Sequence, residues 1–258
     1  MKRYAFTIQY DGSDYHGMQL QNDFVTIQGE IEKALFTILR QNIRIHYAGR
    51  TDTGVHAIGQ VIHFDIDREL ELRRFLYSMN SVLPFTISFV HGQEVSPDFH
   101  ARFSCLAREY IYRISNTPYR TAFSYKRSVW IRFPLNIEAM QEAASYLIGE
   151  HDFASFTKEI YVKKGEKTIR RLDAIHITKK GAELYFHFVG SGFLHNMIRI
   201  IMGTLVHVGK QELPPVALKQ ILEKKRRVEA GKTLPPYGLY FYRAHYEEYK
   251  TPEYLLEI

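Results

Sequence analysis

Apolar and polar residues alternate at the start of the chain. Tyr4, Phe6, Ile8 and Tyr10 share one face and Ala5, Thr7 and Gln9 the other. A period of two predicts a strand. The period then lengthens, and Thr26 caps a predicted helix whose core face is Ile27, Ile31, Ala34, Leu35 and Ile38. Ile43, Ile45 and Tyr47 predict a second strand, and Gln60 to Asp65 a third. Leu72, Phe75, Leu76 and Met79 return to helical spacing, Pro84 stops that helix, and Ile87 to Val95 reads as a fourth strand. The order is β-α-β-β-α-β, the split-βαβ or ferredoxin-like arrangement.

The order recurs. Tyr110, Tyr112 and Ile114 alternate as a strand, and Asn136 caps a predicted helix carrying Met140, Ala143, Ala144 and Leu147, closed by Gly149. Strands are expected near Thr168–Thr178 and Glu183–Val189, with Gly181 turning between them. A strongly apolar helix is predicted from Phe193 to about Val208, another near Pro215, and a last strand over Leu239–Tyr246. The halves share no sequence repeat. The expected fold class is α+β: two ferredoxin-like (βαββαβ) domains with mainly antiparallel sheets, meeting around a central catalytic cleft. The expected domains are 1–105 and 106–258, joined near Phe103–Arg108.

On a wheel of ~100° per residue, the long apolar helix leaves His195, Asn196, Arg199, Gly203 and His207 in one polar sector. Arg199 thus sits mid-helix on a mostly buried element, where an unpaired guanidinium is very costly. A framework salt bridge and a role in a site both satisfy that demand.

Composition narrows the classes. The chain has 258 residues, 45% of them hydrophobic, which suits one large or two small cores. The lone Cys105 excludes an internal disulfide and reads as a small buried hydrophobe. No apolar run approaches the ~20 residues of a membrane span. The polar Met1-Lys2-Arg3 start carries no signal-peptide pattern, so a soluble, cytoplasmic protein is expected. Lys and Arg number 34 against 28 Asp and Glu, a net charge of +6, and there are 18 Tyr and 17 Phe. That balance fits a nucleic-acid binder, with cations for phosphates and rings for bases. It equally fits a mildly basic enzyme with an aromatic core. Basic clusters at Lys163–Arg171 and Lys224–Arg227 tilt the balance toward nucleic acid.

One segment concentrates candidate chemistry: Gly49-Arg50-Thr51-Asp52-Thr53-Gly54-Val55-His56-Ala57. It places a single carboxylate, Asp52, between glycines and two residues after an arginine. Asp52-Thr53-Gly54 is the tripeptide of aspartic proteases, but those enzymes need two carboxylates sharing a proton, and no second copy is present. The 12 histidines form neither His-x-x-x-His nor His-Glu-x-x-His, and Glu150-His151-Asp152 reads as the close of a helix, so no metal site is expected. A Gly-x-Ser-x-Gly elbow, a Walker loop and Gly-x-Gly-x-x-Gly are all absent, and no nucleotide cofactor is implied. Passive RNA binding lacks its basic-Gly-aromatic signature and has no use for a loop carboxylate, which repels phosphate. A carboxylate in a basic, aromatic protein points instead to chemistry on a nucleic acid, at an electrophilic sugar carbon.

These residues resemble the tRNA pseudouridine synthase A family along nearly the whole chain. The segment Gly49 to Ala57 is similar to the family's catalytic loop. Asp98-Phe99-His100-Ala101-Arg102 with Arg108-x-Tyr110-x-Tyr112 is similar to a second motif, and Gly192-Phe193-Leu194-x-x-Met197-Ile198-Arg199 to a third. Pro236-x-Gly238-Leu239, Gln19-x-Gln21, Asn80-x-x-Leu83-Pro84 and His151-Asp152-Phe153-x-Ser155-Phe156 fit as well. The departures are Met18 in place of an aromatic, Ile198 for valine and Leu234 for alanine.

The resemblance implies a cofactor-free isomerisation of uridine to pseudouridine in the tRNA anticodon stem-loop, at positions 38, 39 and 40. It implies Asp52 as the catalytic residue, acting either as nucleophile on C1′ or as base at C2′. Tyr110 would stack on the uracil, Arg199 would pair with the carboxylate, Leu239 would pack near the base, and Arg50 would fill the vacated space or grip phosphate. It further implies tRNA as partner and a homodimer. A tRNA-binding module with a lapsed active site, or the same chemistry on another RNA, are the alternatives.

Overall fold

Strand β1 (Lys2–Tyr10) lies inside the first sheet of the computed structural model, which describes residues Met1–Leu256. It is followed by α1 (Ile27–Leu39), β2 (His46–Tyr47), β3 (His56–Ile66), α2 (Leu72–Val82) and β4 (Ile87–Val95). β1 pairs antiparallel with β3 on one side and β4 on the other, and β2 adds antiparallel to β3 with His46 opposite His63. The helices start where their sequences supply caps. The Thr26 hydroxyl accepts the Gly29 N–H at 3.2 Å, and the Glu71 carboxylate accepts the N–H groups of Arg73 and Arg74. Phe6 of β1 packs against Phe64 of β3, Phe75 of α2 and Phe89 of β4, with ring centroids 5.3, 5.1 and 5.4 Å away. This aromatic cluster cements helix to sheet.

Next come β5 (Ala107–Ser115), β6 (Val129–Trp130), α3 (Ile137–Ser145), β7 (Gly149–Asp152), α4 (Glu159–Lys163), β8 (Ile169–Lys180) and β9 (Glu183–Gly190). Helices α5 (Met197–Gly209) and α6 (Ala217–Lys224) and strand β10 (Leu239–His245) complete the order. β5, β9, β8 and β7 are neighbours in that order, and β6 runs parallel to the end of β5. α5 is buried on nearly every side; only Arg199 and His207 are partly exposed along it. Its polar sector is covered by the chain at Gly231–Leu234. A Cβ on Gly203 would clash with the Lys232 carbonyl, and one on Gly231 would stand 2.7 Å from the Gly203 carbonyl carbon. Two glycines therefore let backbone cross backbone, and the Gly231 N–H donates to the Thr204 hydroxyl at 2.9 Å.

The sheets are mainly antiparallel and the class is α+β. Contacts group Met1–Arg108 with the segment from Tyr240 onward, and Glu109–Leu239 as a second unit. The expected division at 105/106 kept the C-terminal strand with the second half. β10 instead pairs parallel with β3, Tyr240 opposite His56 and Phe241 opposite Ala57. β1 lines one edge of β3, so β2 and β10 share the other.

Local differences have local causes. The long apolar helix begins at Met197, not Phe193, because Asn196 takes a left-handed conformation with φ 61°. Gly149 does not close α3, which ends at Ser145; it opens β7 with φ 105°, and Glu150-His151-Asp152 is strand. Ile43 and Ile45 are buried but lie outside β2, which is only His46–Tyr47.

His63 on β3 carries a pH dependence. It is 1% exposed, its Nδ1 accepts the Ala101 N–H at 3.1 Å, and its ring stacks on His46 with His100 at its edge. Burial, then the charges of His100, His46 and Arg3, lower its pKa from 6.5 to about 3, against an opposing pull from Asp65. Between those values the unfolded chain takes a proton that the native chain refuses. Stability therefore falls as pH drops from 6.5 toward 3. Urea midpoints at pH 7 and 4.5 should differ less in His63→Asn than in the wild type, since Asn keeps an acceptor and does not titrate.

Candidate active site

The Asp52 loop is held from inside the first unit. Ala48 enters it with its N–H on the Val61 carbonyl and its own carbonyl accepting Arg108 Nε at 3.0 Å. Gly49 is gripped at both ends by Gln60 of β3. Gln60 Nε2 donates to the Gly49 carbonyl at 2.8 Å, and Oε1 accepts the Gly49 N–H at 3.3 Å. Gln60 is fully buried. The Thr51 hydroxyl bonds the Tyr10 hydroxyl at 2.7 Å, and the Thr51 carbonyl accepts the Met18 N–H at 3.1 Å. Burial pushes the Tyr10 phenol up to about 12, against the opposing effect of its bond to Thr51.

Asp52 then opens a turn. Its carbonyl accepts the Val55 N–H at 3.1 Å, and Gly54 at the third position has φ 78°, as a type II turn requires. Gly49, the other bracketing glycine, is not in the left-handed region. Burial varies along the loop: Arg50 is exposed, Thr51 buried, Asp52 half-buried and Thr53 exposed. The wall behind is the chain at Gly12–Gly17. A Cβ on Gly12 would clash with the Val55 carbonyl, and one on Gly17 would stand 2.5 Å from the Thr51 carbonyl. His56 follows, buried, its Nδ1 accepting the Gly12 N–H at 3.1 Å and its ring stacked on Tyr240 at 4.7 Å.

The second unit places the other candidates on two elements. Tyr110 is buried on β5 with its ring edge-on to Phe193, centroids 5.0 Å apart. Tyr112, two residues on and so on the same strand face, donates its hydroxyl to the Pro235 carbonyl at 2.7 Å. Arg199 on α5 donates Nε to the Leu234 carbonyl at 2.8 Å and Nη1 to Asn196 Oδ1 at 2.8 Å, while its own carbonyl accepts the Leu234 N–H at 3.1 Å. Adjacent residues 234 and 235 are thus tied to α5 and β5 respectively. The tie fixes the chain that leads through Pro236–Gly238 to Leu239, which is buried at the start of β10.

The basic clusters are partly neutralised. Lys163 pairs with Glu159 at 2.8 Å, Arg171 with Asp173 at 2.7 Å, Lys224 with Glu229 at 2.8 Å and Lys225 with Asp152 at 3.0 Å. Among the described residues, no group of three or more His, Cys, Asp or Glu can hold a metal ion, and no helix is long and apolar enough to cross a membrane.

Comparisons with known proteins show the family. A family model described as tRNA pseudouridine synthase matches residues 143–247. A protein of Brevibacillus brevis named tRNA pseudouridine synthase A is 43% identical over 247 residues, covering 95% of this chain and 100% of its own. Proteins of the same name from Leptospira biflexa and Oceanobacillus iheyensis are 40% and 42% identical. They cover 100% and 96% of this chain, and 99% and 98% of theirs. The chain belongs to the tRNA pseudouridine synthase A family. The family model spans Arg199 and Leu239, whereas the Asp52 loop and Tyr110 lie in the part reached by the full-length relatives of the synthase family.

Sequence reasoning named Asp52, Arg50, Tyr110, Arg199 and Leu239 but gave no role to Gln60, Tyr10, Thr51, Asn196 or the 234–235 backbone. The available signal was a glutamine inside the apolar run from Val55 to Phe64, where little else is polar.

The Tyr112 tether is testable without substrate. Tyr112→Phe removes the donor to the Pro235 carbonyl and keeps the packing. The expected cost is ~1 kcal/mol in urea denaturation, with faster exchange of amides near residue 234. An unchanged midpoint would mean that the bond contributes nothing.

Proposed function

We propose that this protein isomerises uridine to pseudouridine in tRNA, at positions 38, 39 and 40 of the anticodon stem-loop. Similarity along almost the entire chain to proteins named tRNA pseudouridine synthase A carries the reading. The C1′–N1 bond breaks, the uracil turns, and a C1′–C5 bond forms; C5 loses its hydrogen and N1 gains one. Substrate and product are isomers, so the stoichiometry calls for no oxidant and no group donor. The target base must leave the stack first, at a cost of a few kcal/mol.

In this proposal Asp52 acts at the ribose, as nucleophile on C1′ or as base at C2′. Its loop supports the assignment: a backbone held at Ala48, Gly49 and Thr51 carries Arg50 exposed and Asp52 half-buried. Tyr110 stacks on the uracil, Arg50 fills the vacated space or grips phosphate, and Leu239 packs near the base. Arg199 pairs with the carboxylate through the donor positions that its bonds to Leu234 and Asn196 orient. The net charge of +6 suits a polyanionic partner.

The proposal also includes a cytoplasmic homodimer, and units that are variants of the ferredoxin-like fold. The first unit's order β1-α1-β2-β3-α2-β4, with β4, β1, β3 and β2 as successive neighbours, supports that fold reading. Domains of this kind, divided near residue 105, put Asp52 in one and Tyr110, Arg199 and Leu239 in the other.

Asp52→Ala and Asp52→Asn should abolish tritium release from C5-labelled uridine in tRNA transcripts while tRNA binding stays within a few-fold of wild type. Turnover by Asp52→Ala would remove Asp52 from the chemistry. Retention of tRNA with no release by the unmodified protein would identify a lapsed binding module instead. Arg199→Lys lacks the planar fork that serves Leu234, Asn196 and a carboxylate together. Its single-turnover rate should fall at least ~10-fold, about 1.4 kcal/mol of transition-state stabilisation. A wild-type rate would confine Arg199 to the framework.

A further inference from the structure

Gln60 spends its whole amide on one residue of the Asp52 loop. Its two bonds to Gly49 run in opposite directions, so the side chain mimics a neighbouring strand at the point where β2 has ended. A backbone N–H and C=O left unpaired there would each carry a desolvation penalty. Beside it the Tyr10 phenol bonds the Thr51 hydroxyl at 2.7 Å, a second anchor on the same loop. All three side chains are buried: Gln60 at 0%, Tyr10 at 4% and Thr51 at 7% exposure. Satisfied hydrogen bonds in such a low-dielectric setting hold the loop backbone rigidly.

The anchors fall on a pattern. Gly49 and Thr51 are fixed inward, and the residues directly after each, Arg50 and Asp52, carry the more exposed side chains. Anchors at residues 49 and 51 therefore fix the backbone on both sides of Arg50 and directly before Asp52. A shift of about 1 Å in such a segment is enough to cost a reaction 100-fold.

We propose that Gln60 is a positioning residue that, through its paired bonds to Gly49, sets the reach of the Asp52 carboxylate. It touches no substrate. The inference rests on the reading of Asp52 as the group that acts at the ribose.

Two variants test it, with tritium release under single-turnover conditions, tRNA affinity by filter binding, and thermal unfolding measured on each. Gln60→Met keeps the volume and removes both hydrogen bonds to Gly49. The rate should fall at least tenfold while tRNA affinity stays within about twofold. Gln60→Glu adds a signature that simple loosening cannot produce. A buried carboxyl titrates above its ordinary range. Protonated, it offers an O–H to the Gly49 carbonyl and a C=O to the Gly49 N–H, as the amide does. Ionised, it loses the donor. The Gln60→Glu rate, relative to wild type at the same pH, should therefore rise as pH is lowered through the raised carboxyl pKa.

A Gln60→Met rate within twofold of wild type, with only a lowered unfolding temperature, would overturn the proposal. So would a pH-independent Gln60→Glu ratio in a folded protein. Loss of rate and tRNA affinity in parallel would also overturn it. Inactivity of the wild-type protein on tRNA would instead refute the functional reading itself, so the two failures are separable.

Discussion

A peptide group outside a helix or sheet ladder still needs its hydrogen bonds when it packs against a core. Both segments that carry candidate chemistry meet that demand in one way. Gln60 takes the N–H and C=O of Gly49 with a side-chain amide, and Arg199 takes the C=O and N–H of Leu234 with its guanidinium and its own carbonyl. Each clasp grips a single residue from two sides, which removes more freedom than two bonds to separate residues would. The loops can then be irregular, with a left-handed Gly54 in one and a glycine crossing at Gly203 and Gly231 in the other, without being loose. Irregular backbone lets a side chain point where a regular strand would not allow, and the clasps hold it there.

That constraint explains what the sequence could reveal. Elements with a strong period and a local stop were legible: β4 occupies Ile87–Val95 as expected, and Thr26 and Asn136 cap the helices they were expected to cap. Periodicity failed where one residue's backbone overrode it. Asn196 at φ 61° cuts Phe193 to Asn196 off the expected helix, because a left-handed residue ends the right-handed run whatever its neighbours prefer. Gly149 carries a helix-ending residue type yet starts a strand. The pairing of β10 with β3 had no local trace, since parallel pairing between residues 56–57 and 240–241 depends on the path of the whole chain between them.

Site legibility divides along the same line. Asp52, Arg50, Tyr110, Arg199 and Leu239 became candidates through motifs in which unusual residue types sit close together. The groups that hold them escaped. Gln60 looks like one polar residue in a strand, and its partner is a backbone, which sequence does not distinguish from any other. The framework and site readings of Arg199 also turn out not to exclude each other. Two of its donors serve the neutral oxygens of Leu234 and Asn196, and those bonds fix the plane in which its remaining donors lie.

The tyrosine content takes on a second meaning. Eighteen tyrosines in a basic chain first read as rings for stacking on bases, but half of them are buried. Among those that use the hydroxyl as a tether are Tyr10 to Thr51, Tyr112 to the Pro235 carbonyl, Tyr246 to the Ala101 carbonyl and Tyr249 to Thr7. Burial raises the pKa of each, so these phenols remain neutral donors throughout the range in which an ordinary carboxylate is ionised. A phenol that stays protonated is a dependable hydrogen bond and a poor proton acceptor. Tyr10 therefore stands behind the Asp52 loop as a neutral group, and Asp52 is the one acidic side chain between Gly49 and Ala57.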